Sequence, residues 1–419
     1  MATVQIVQEI IKFVRCFSFV TRLVDEFVSE IQVCDFIFLH DAFMARVKHG
    51  QRCILVDAVE NAGEAERSMK LWRWLVLSYF FLAGDASKVP ALFVFGDSTV
   101  DTGNLKQRSS LSLLMTNRLP YGRDFVPPGP TGRASNGKLS TDFLAEFLEL
   151  PSPANGFEEQ TSGIFRGRNF AAGGSGYLNG TGALFRTIPL STQLDAFEKL
   201  VKSTAQSLGT KAASELLAKS LFVVSTGNND MFDYIYNIRT RFDYDPESYN
   251  KLVLSKALPQ LERLYTLGAR KMVVLSVGPL GCTPAVLTLY DSTGECMRAV
   301  NDQVASFNSA LKASLASLAS KLPALHAMYG NAYDLLLDAV EQPSKYGFKY
   351  GNVACCGLGR FGGSSACSNL SNVCFSADEH VFWDLVHPTQ EMYRLVSDSL
   401  VSGPPSMASP LNISQLIAF

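Results

Sequence analysis

From residue 90 onward, short apolar runs alternate with longer stretches in which apolar residues recur at helical spacing. Short runs without polar alternation are typical of strands buried on both faces, as in parallel sheets. The pattern therefore predicts an α/β fold in which helices cover both faces of a mostly parallel sheet. The runs are residues 91–95, 221–225, 271–276 and 325–329, and the helical stretches include residues 141–148, 249–267, 297–322 and 332–340.

Caps, prolines and glycines refine this prediction locally. Ser191 or Thr192 is expected to cap a further helix, and Pro259 is expected to kink the helix at residues 249–267. Residues 120–137 are rich in Gly and Pro, which predicts a long surface loop that helps to shape a cleft.

Composition excludes some partners. The 419 residues carry a formal net charge of -2 and contain no basic run, so they lack the concentrated positive face that nucleic-acid binding requires. The sequence also contains no uninterrupted apolar stretch of the roughly 18 residues that a membrane span needs. Neither nucleic acid nor a transmembrane segment is expected.

Residues 69–86 have the layout of a secretory signal peptide, although they lie well inside the chain. A basic start is followed by an apolar stretch at residues 74–83 and then by the small residues Gly84 and Ala86. The alternative is a buried helix or strand of about ten residues, which periodicity alone does not exclude.

Cysteines and glycosylation sequons both favour the signal peptide. Three cysteines precede residue 69, whereas an even set follows it, as suits three disulfides in a secreted domain. A zinc site is the alternative, but paired C-x-x-C spacing is missing. We therefore expect translation to start at Met69, with residues 1–68 a non-native extension and residues 87–419 the secreted domain. The later cysteines are Cys282, Cys296, Cys355, Cys356, Cys367 and Cys374, and the sequons, which are candidate N-glycan sites, are at Asn179, Asn369 and Asn412.

The apolar run at residues 91–95 ends in a Gly-Asp-Ser turn that places Ser98 at the carboxyl end of a buried strand. Open α/β sheets carry their chemistry at this end. A serine becomes a nucleophile only with a base beside it and donors ready for the oxyanion. An ordinary turn is the alternative, so the interpretation depends on the rest of the chain.

A base and its orienting acid are found near the carboxyl end. Asp384 and His387 are three residues apart, close enough on one turn for the carboxylate to fix the imidazole tautomer. Pro388 restricts the backbone here and is expected to begin a helix. His326 and His380 have no comparable acid on their own turn.

Two further segments resemble the donors of an oxyanion hole. Residues 169–176 are rich in small residues, which lets backbone N–H groups approach a ligand closely. Residues 223–230 are a buried strand ending in two side-chain amides, Asn228 and Asn229. A dinucleotide-binding interpretation of residues 174–180 fails, because the glycine spacing is wrong and no strand directly precedes it.

These four blocks, in this order, resemble the plant GDSL esterase/lipase family of SGNH hydrolases. The resemblance covers roughly residue 90 to the carboxyl end and includes the Pro-Tyr-Gly-Arg sequence at residues 120–123. Three departures stand out: Thr99 replaces the leucine that names the family, residues 106–118 lack the usual asparagine-rich continuation, and residues 1–68 have no counterpart.

The resemblance implies a three-layer α/β/α sandwich, secretion and no cofactor or metal. It implies that Ser98 is the nucleophile, that His387 is the base and that Asp384 orients it. The backbone N–H groups of Ser98 and Gly174 and the side-chain amide of Asn229 would form the oxyanion hole.

We therefore hypothesise a secreted esterase or lipase that works through a serine acyl-enzyme on a small-molecule, lipid or polysaccharide ester. Because its base must be neutral, activity should fall below about pH 6 to 6.5. An acyltransferase with the same triad and a catalytically silent binding protein remain alternatives. The sequence does not identify the ester.

Overall fold

The computed structural model describes residues 87–104, 116–157, 166–290 and 293–419. The expected signal peptide at residues 69–86 and the extension at residues 1–68 lie outside the described residues, as do residues 106–115 of the departing segment. The described residues all belong to one compact unit.

A seven-stranded sheet forms the centre of this unit. Its strand order is β2-β3-β1-β4-β5-β6-β9, and every neighbouring pair is parallel except β6 with β9. Strands β7 and β8 form a separate antiparallel pair. The strands are β1 (Leu92–Gly96), β2 (Ala154–Asn155), β3 (Gly167–Asn169), β4 (Leu221–Ser225), β5 (Lys271–Leu275), β6 (His326–Gly330), β7 (Cys356–Gly357), β8 (Asn372–Val373) and β9 (Ala408–Ser409).

Helices follow most of the sheet strands, as the alternation of patterns predicts. Among the described residues they are α1 (Ser140–Phe147), α2 (Leu190–Leu208), α3 (Thr210–Lys219), α4 (Asn228–Tyr236), α5 (Ile238–Asp243), α6 (Pro246–Thr266), α7 (Pro284–Tyr290), α8 (Arg298–Lys321), α9 (Ala332–Glu341), α10 (Gln390–Ser402) and α11 (Ile413–Leu416). No helix in these ranges combines the length and apolar character needed to cross a bilayer.

The side chains of the central strands alternate between two separate apolar cores. In β1, Phe93 and Phe95 pack in one core with helices α2, α6 and α8, whereas Leu92 and Val94 pack in the other with α1, α9 and α10. This follows from the two-residue period of a strand, which sends successive side chains to opposite faces. The result confirms the expected three-layer α/β/α sandwich.

The ends of two helices differ from expectation. Helix α2 begins at Leu190 with Pro189 at its cap position, so neither Ser191 nor Thr192 caps it as expected. Both lie within its first turn, where the Ser191 hydroxyl donates to Asn179 Oδ1 at 2.9 Å. Helix α10 begins at Gln390 after a Thr389 cap, so Pro388 precedes the helix rather than starting it. Helix α6 continues through Pro259.

Candidate active site

The candidate site lies at the carboxyl ends of the central parallel strands. Ser98 follows β1 by two residues, residues 226–229 follow β4, and residues 276–280 follow β5. A cavity of about 390 Å³ opens at this edge and is lined by residues from all three segments. The convergence follows from the topology, since neighbouring parallel strands all end at the same edge of the sheet.

Gly96 makes the turn after β1 possible. Its φ is +138°, and a Cβ added here would lie 1.9 Å from the carbonyl oxygen of Ser225 in β4. Its N–H donates to Gln193 Oε1 and its carbonyl accepts from Gln193 Nε2, both at 2.9 Å. The buried amide of Gln193 thus bonds both backbone polar groups of Gly96 and fixes the backbone just before Ser98.

The structure brings Ser98, His387 and Asp384 into one hydrogen-bonded line. His387 Nε2 lies 2.8 Å from Ser98 Oγ, and His387 Nδ1 lies 2.8 Å from Asp384 Oδ2. With a proton on Nδ1 donated to the carboxylate, Nε2 offers its lone pair to the serine hydroxyl. The side chain of His387 is 15% exposed and that of Asp384 is 1% exposed, so the line runs from the cavity into the interior.

Asp384 is a buried carboxylate surrounded by donors. Its Oδ1 accepts the backbone N–H groups of Val386 at 2.9 Å and His387 at 2.8 Å. Its Oδ2 accepts the hydroxyl of Tyr121 at 2.7 Å. Burial favours the neutral acid, but the neighbouring His387 and these donors outweigh burial and lower the pKa of Asp384. Asp384 is therefore held ionised.

The pKa of His387 is shifted in the opposite direction to that of Asp384. Burial disfavours its charged form, but the negative charges of Asp384 and Asp97 outweigh burial and raise the pKa of His387 above its usual value. A raised pKa makes the imidazole a stronger base, although a larger share of it is protonated at a given pH.

The residues expected to form the oxyanion hole lie around the same cavity. Ser98, Gly174 and Asn229 all line it, and Gly174 has a φ of +82°. Asn229 Nδ2 donates to the carbonyl of Ser175 at 2.9 Å, which fixes the amide group. Because an amide nitrogen carries two hydrogens, Asn229 has a second donor to offer at the cavity.

Asp230 connects the loop that follows β3, which contains Gly174, to the start of α4. Its carboxylate accepts Tyr177 N–H at 2.7 Å, Leu178 N–H at 3.1 Å and Thr181 Oγ1 at 2.6 Å. Burial raises the pKa of Asp230 to about 6 against the opposing effect of these donors. Asp230 therefore connects the two segments that carry Gly174 and Asn229 of the expected oxyanion hole.

The second amide of that segment has a different role. Asn228 Nδ2 donates to Asp97 Oδ2 at 3.1 Å, and Asn228 Oδ1 accepts Gly278 N–H at 3.1 Å. These two bonds tie together the turns that follow β1, β4 and β5. Asp97 also accepts the N–H and hydroxyl of Thr99, at 2.9 and 2.7 Å.

The other two histidines of the described domain lie elsewhere. His326 stacks on Phe419 with ring centroids 4.1 Å apart, and His380 stacks on Tyr350 at 4.5 Å while its Nδ1 contacts the carbonyl of Val353 at 2.8 Å. Neither lines the cavity, in agreement with the absence of an orienting acid beside them.

Three disulfides join the six cysteines that follow residue 69. These cysteines are therefore paired with each other, as expected, and do not form a zinc site. Two of them, Cys355–Cys374 and Cys356–Cys367, form what we call the disulfide knot; the third is Cys282–Cys296. Cys355 N–H donates to the Phe382 carbonyl at 3.0 Å and Cys356 N–H to the Trp383 carbonyl at 2.7 Å. The knot thus supports the segment that carries Asp384. Within the described ranges no group of three or more His, Cys, Asp or Glu side chains is arranged to hold a metal ion.

Comparison with known proteins identifies the family. The family model described as GDSL-like Lipase/Acylhydrolase matches residues 92–400. The chain belongs to this family. It is 38% identical over 367 residues to GDSL esterase/lipase At5g08460 of Arabidopsis thaliana, covering 84% of this chain and 94% of the relative. It is 34% identical over 350 residues to GDSL esterase/lipase 6 of the same plant, covering 82% and 94%.

Membership of the GDSL family makes this protein a serine ester hydrolase. Within the GDSL fold, Thr99 occupies the position of the leucine in the family motif, and its hydroxyl lies 2.8 Å from Ser225 Oγ. Sequence reasoning missed Gln193 and Asp230 as supports of the site. It noted the block containing Tyr121 only as a family feature, because the contact with Asp384 spans 263 residues of sequence.

Proposed function

We propose that this GDSL hydrolase is secreted and cleaves carboxylic esters through an acyl-enzyme formed on Ser98. The single observation that carries the proposal is the distance of 2.8 Å between Ser98 Oγ and His387 Nε2, with Asp384 bonded to the other ring nitrogen. That arrangement is the one in which a serine hydroxyl gains a base within reach of its proton.

The reaction has two halves. Ser98 Oγ attacks the ester carbonyl while its proton passes to His387 Nε2, and the resulting imidazolium is stabilised by the carboxylate of Asp384. The imidazolium then gives this proton to the leaving alkoxide, and the tetrahedral intermediate collapses to the acyl-enzyme. Water attacks the acyl group in the second half, with His387 again as the base, and releases the acid and Ser98.

In both halves negative charge develops on the former carbonyl oxygen. We assign the N–H groups of Ser98 and Gly174 and the amide of Asn229 as donors to it, since these residues border the same cavity. Donors that are already in place cost no reorganisation at the moment of reaction, and one such donor is worth roughly a hundredfold or more in rate.

The cavity favours an ester with an apolar acyl group. Around the serine its lining includes the side chains of Phe232, Leu280, Leu385 and Val386. An apolar wall gains free energy from burying methylene groups and offers few hydrogen-bond partners to a sugar ring. We therefore place lipid-like esters ahead of acetylated polysaccharides as substrates.

Secretion is supported by the disulfides, which form and persist in oxidising compartments. The signal-peptide pattern at residues 69–86 and the sequons point the same way.

Hydrolysis of p-nitrophenyl esters of increasing acyl length tests the proposal. The wild type should hydrolyse them with a preference that rises beyond acetate, and Ser98→Ala should lose at least about a thousandfold in kcat/KM. Ser207→Ala, an exposed serine in α2, is the matched control and should retain full activity. Equal rates for the wild type and Ser98→Ala would remove Ser98 from the mechanism. Adding competing alcohols to the same assay would reveal acyl transfer as new ester product.

A further inference from the structure

Tyr121 is a buried residue whose hydroxyl reaches the acid of the triad. Its side chain is 2% exposed, and its hydroxyl donates to Asp384 Oδ2 at 2.7 Å. The same oxygen is the nearer of the two carboxylate oxygens to His387 Nδ1, at 2.8 Å against 3.0 Å.

We propose that Tyr121 is a positioning residue of the active site. Its hydroxyl holds Asp384 Oδ2 and thereby keeps the carboxylate oriented toward His387 Nδ1. The proposal rests on the proposed function, because it concerns the acid that orients the base. It extends that function by adding a fourth member to the line of Ser98, His387 and Asp384.

The two oxygens of Asp384 are fixed in different ways. Oδ1 is held by two backbone N–H groups of its own turn, whereas Oδ2 is held by Tyr121 from a distant part of the chain. Without the hydroxyl, the carboxylate is free to swing about the Oδ1 anchor. Such a movement lengthens the bond to His387 Nδ1 and weakens the support of the imidazolium that forms during the reaction.

The hydroxyl stays a donor throughout the reaction. Burial and the neighbouring charge of Asp384 raise the pKa of Tyr121 well above its ordinary value, against a smaller opposing effect of Arg118. The proton transfers of the proposed reaction therefore pass through His387 Nε2 and do not involve the Tyr121 hydroxyl. The neutral hydroxyl of Tyr121 also leaves the negative charge of Asp384 available to His387. A cationic donor in its place would partly neutralise that charge.

Tyr121 is itself held against the disulfide knot. Its ring meets the ring of Trp383 edge to face, with centroids 6.1 Å apart, and packs in one apolar cluster with the knot. On either side of it, Arg118 donates to the Cys367 carbonyl and Arg123 to the Cys374 carbonyl, each at 2.8 Å. The tyrosine is thus placed by the same covalent frame that supports the loop of Asp384.

Several charged or titratable groups surround this line. Asp97 acts on His387, Tyr393 is buried near both Asp384 and Asp97, and the guanidinium of Arg123 lies 5.1 Å from the Trp383 ring. A change of pH between about 5 and 8 alters the charge of His387 in this set, whereas burial raises the pKa of Tyr121 and of Tyr393 well above the ordinary value for tyrosine.

The test compares Tyr121→Phe with Tyr333→Phe. Tyr333 is also buried and donates its hydroxyl to a backbone carbonyl, that of Asn301, at 3.2 Å. Both variants keep the ring and lose one buried hydrogen bond, so Tm should fall by a few degrees in each. In Tyr121→Phe alone, kcat should fall about tenfold while KM stays within about twofold. Equal kcat values for the two variants would reduce Tyr121 to a packing residue and overturn the proposal.

A second measurement does not depend on turnover. In Ser98→Ala protein, the pKa of His387 is measured by NMR titration, with its resonance assigned by its loss in Ser98→Ala/His387→Gln. Adding Tyr121→Phe should lower this pKa by about half a unit, because a misaligned carboxylate stabilises the imidazolium less. An unchanged or raised pKa would overturn the proposal. If Ser98→Ala itself proved fully active, the proposed function would fail while this titration still tested Tyr121.

Discussion

At the scale of single residues, the proposed chemistry depends on how Asp384 and His387 change each other's pKa. The carboxylate of Asp384 is held ionised and the pKa of His387 is raised, and their contact of 2.8 Å contributes to both effects, together with the other donors to Asp384 and the charge of Asp97. The pKa of a catalytic base sets the lower pH limit of activity, since only neutral imidazole accepts the serine proton.

We predict that kcat/KM falls with decreasing pH around a midpoint above about 6.5, the ordinary pKa of histidine. The shift is upward because Asp384 and Asp97 raise the pKa of His387, so the acid limb lies above the range of pH 6 to 6.5 expected from the sequence. A pH profile of ester hydrolysis measures it. Asp384→Asn should move the midpoint downward and lower kcat by about a thousandfold or more. Undiminished activity at pH 5 would contradict the assignment.

The same residues show what a sequence can and cannot reveal. Asp384 and His387 could be paired from the sequence because they are three positions apart on one turn. Ser98 could be placed because an apolar run precedes it. Tyr121 and Gln193 act on the site through contacts that span 263 and 97 residues, and such contacts depend on loop paths that local patterns do not encode.

At the scale of elements, the turn after β4 and the loop after β3 work as one unit. Asp230, in the first turn of α4, holds the loop containing Gly174 through three hydrogen bonds. Sequence patterns placed both segments near the site. Both amides line the cavity, and Asn228 in addition bridges Asp97 and Gly278. Helix α3 was not expected, since the break at Gly209 lasts one residue and the helical spacing continues beyond it.

We predict that Asp230→Asn lowers kcat at pH 7 by at least about tenfold. An asparagine has one acceptor oxygen in place of two and turns N–H groups toward the existing donors, so the loop bearing Gly174 loosens. Asp233→Asn, on the same helix but half-buried and bonded to Thr240, should retain activity. Steady-state kinetics of the two variants decide the point, and equal loss in both would argue against a specific role of Asp230.

The same substitution should change how stability depends on pH. The pKa of Asp230 is about 6 in the folded protein, above its ordinary value of 3.8. Between roughly pH 4 and 6 the folded state therefore keeps a proton that the unfolded state has lost, and this contribution to stability decreases as pH rises. Denaturant unfolding across that range should show a smaller decrease in Asp230→Asn than in the wild type.

At the scale of the whole molecule, the alternation of strands and helices was sufficient to predict the layered architecture. The order of strands in the sheet was not predictable, because β2, β3 and β9 are only two or three residues long and carry no periodic signal. The pairing of the six cysteines was equally open, since they allow 15 arrangements. Which cysteines meet is decided by the approach of the loops, not by their spacing.

For the secreted protein we predict a mature amino terminus after residue 69 and N-glycans at Asn179 and Asn369. Both asparagines are exposed, whereas Asn412 is half-buried, caps α11 and donates its Nδ2 to the Gly403 carbonyl at 3.2 Å. Occupancy at Asn412 should therefore be the lowest of the three. Mass spectrometry of the protein from the culture medium measures both features. A mature end well before Lys70 would contradict the expected start, and full occupancy at Asn412 would contradict the ranking.

The separation of 289 residues between Ser98 and His387 has a consequence for biosynthesis. A ribosome delivers the chain in order, so Ser98 emerges long before His387, the residue that we propose as its base. A chain truncated before residue 384 would keep the Gly-Asp-Ser turn but lack both Asp384 and His387. On the proposed mechanism, ester hydrolysis therefore begins only after His387 has been translated and has reached the edge of the sheet that carries Ser98.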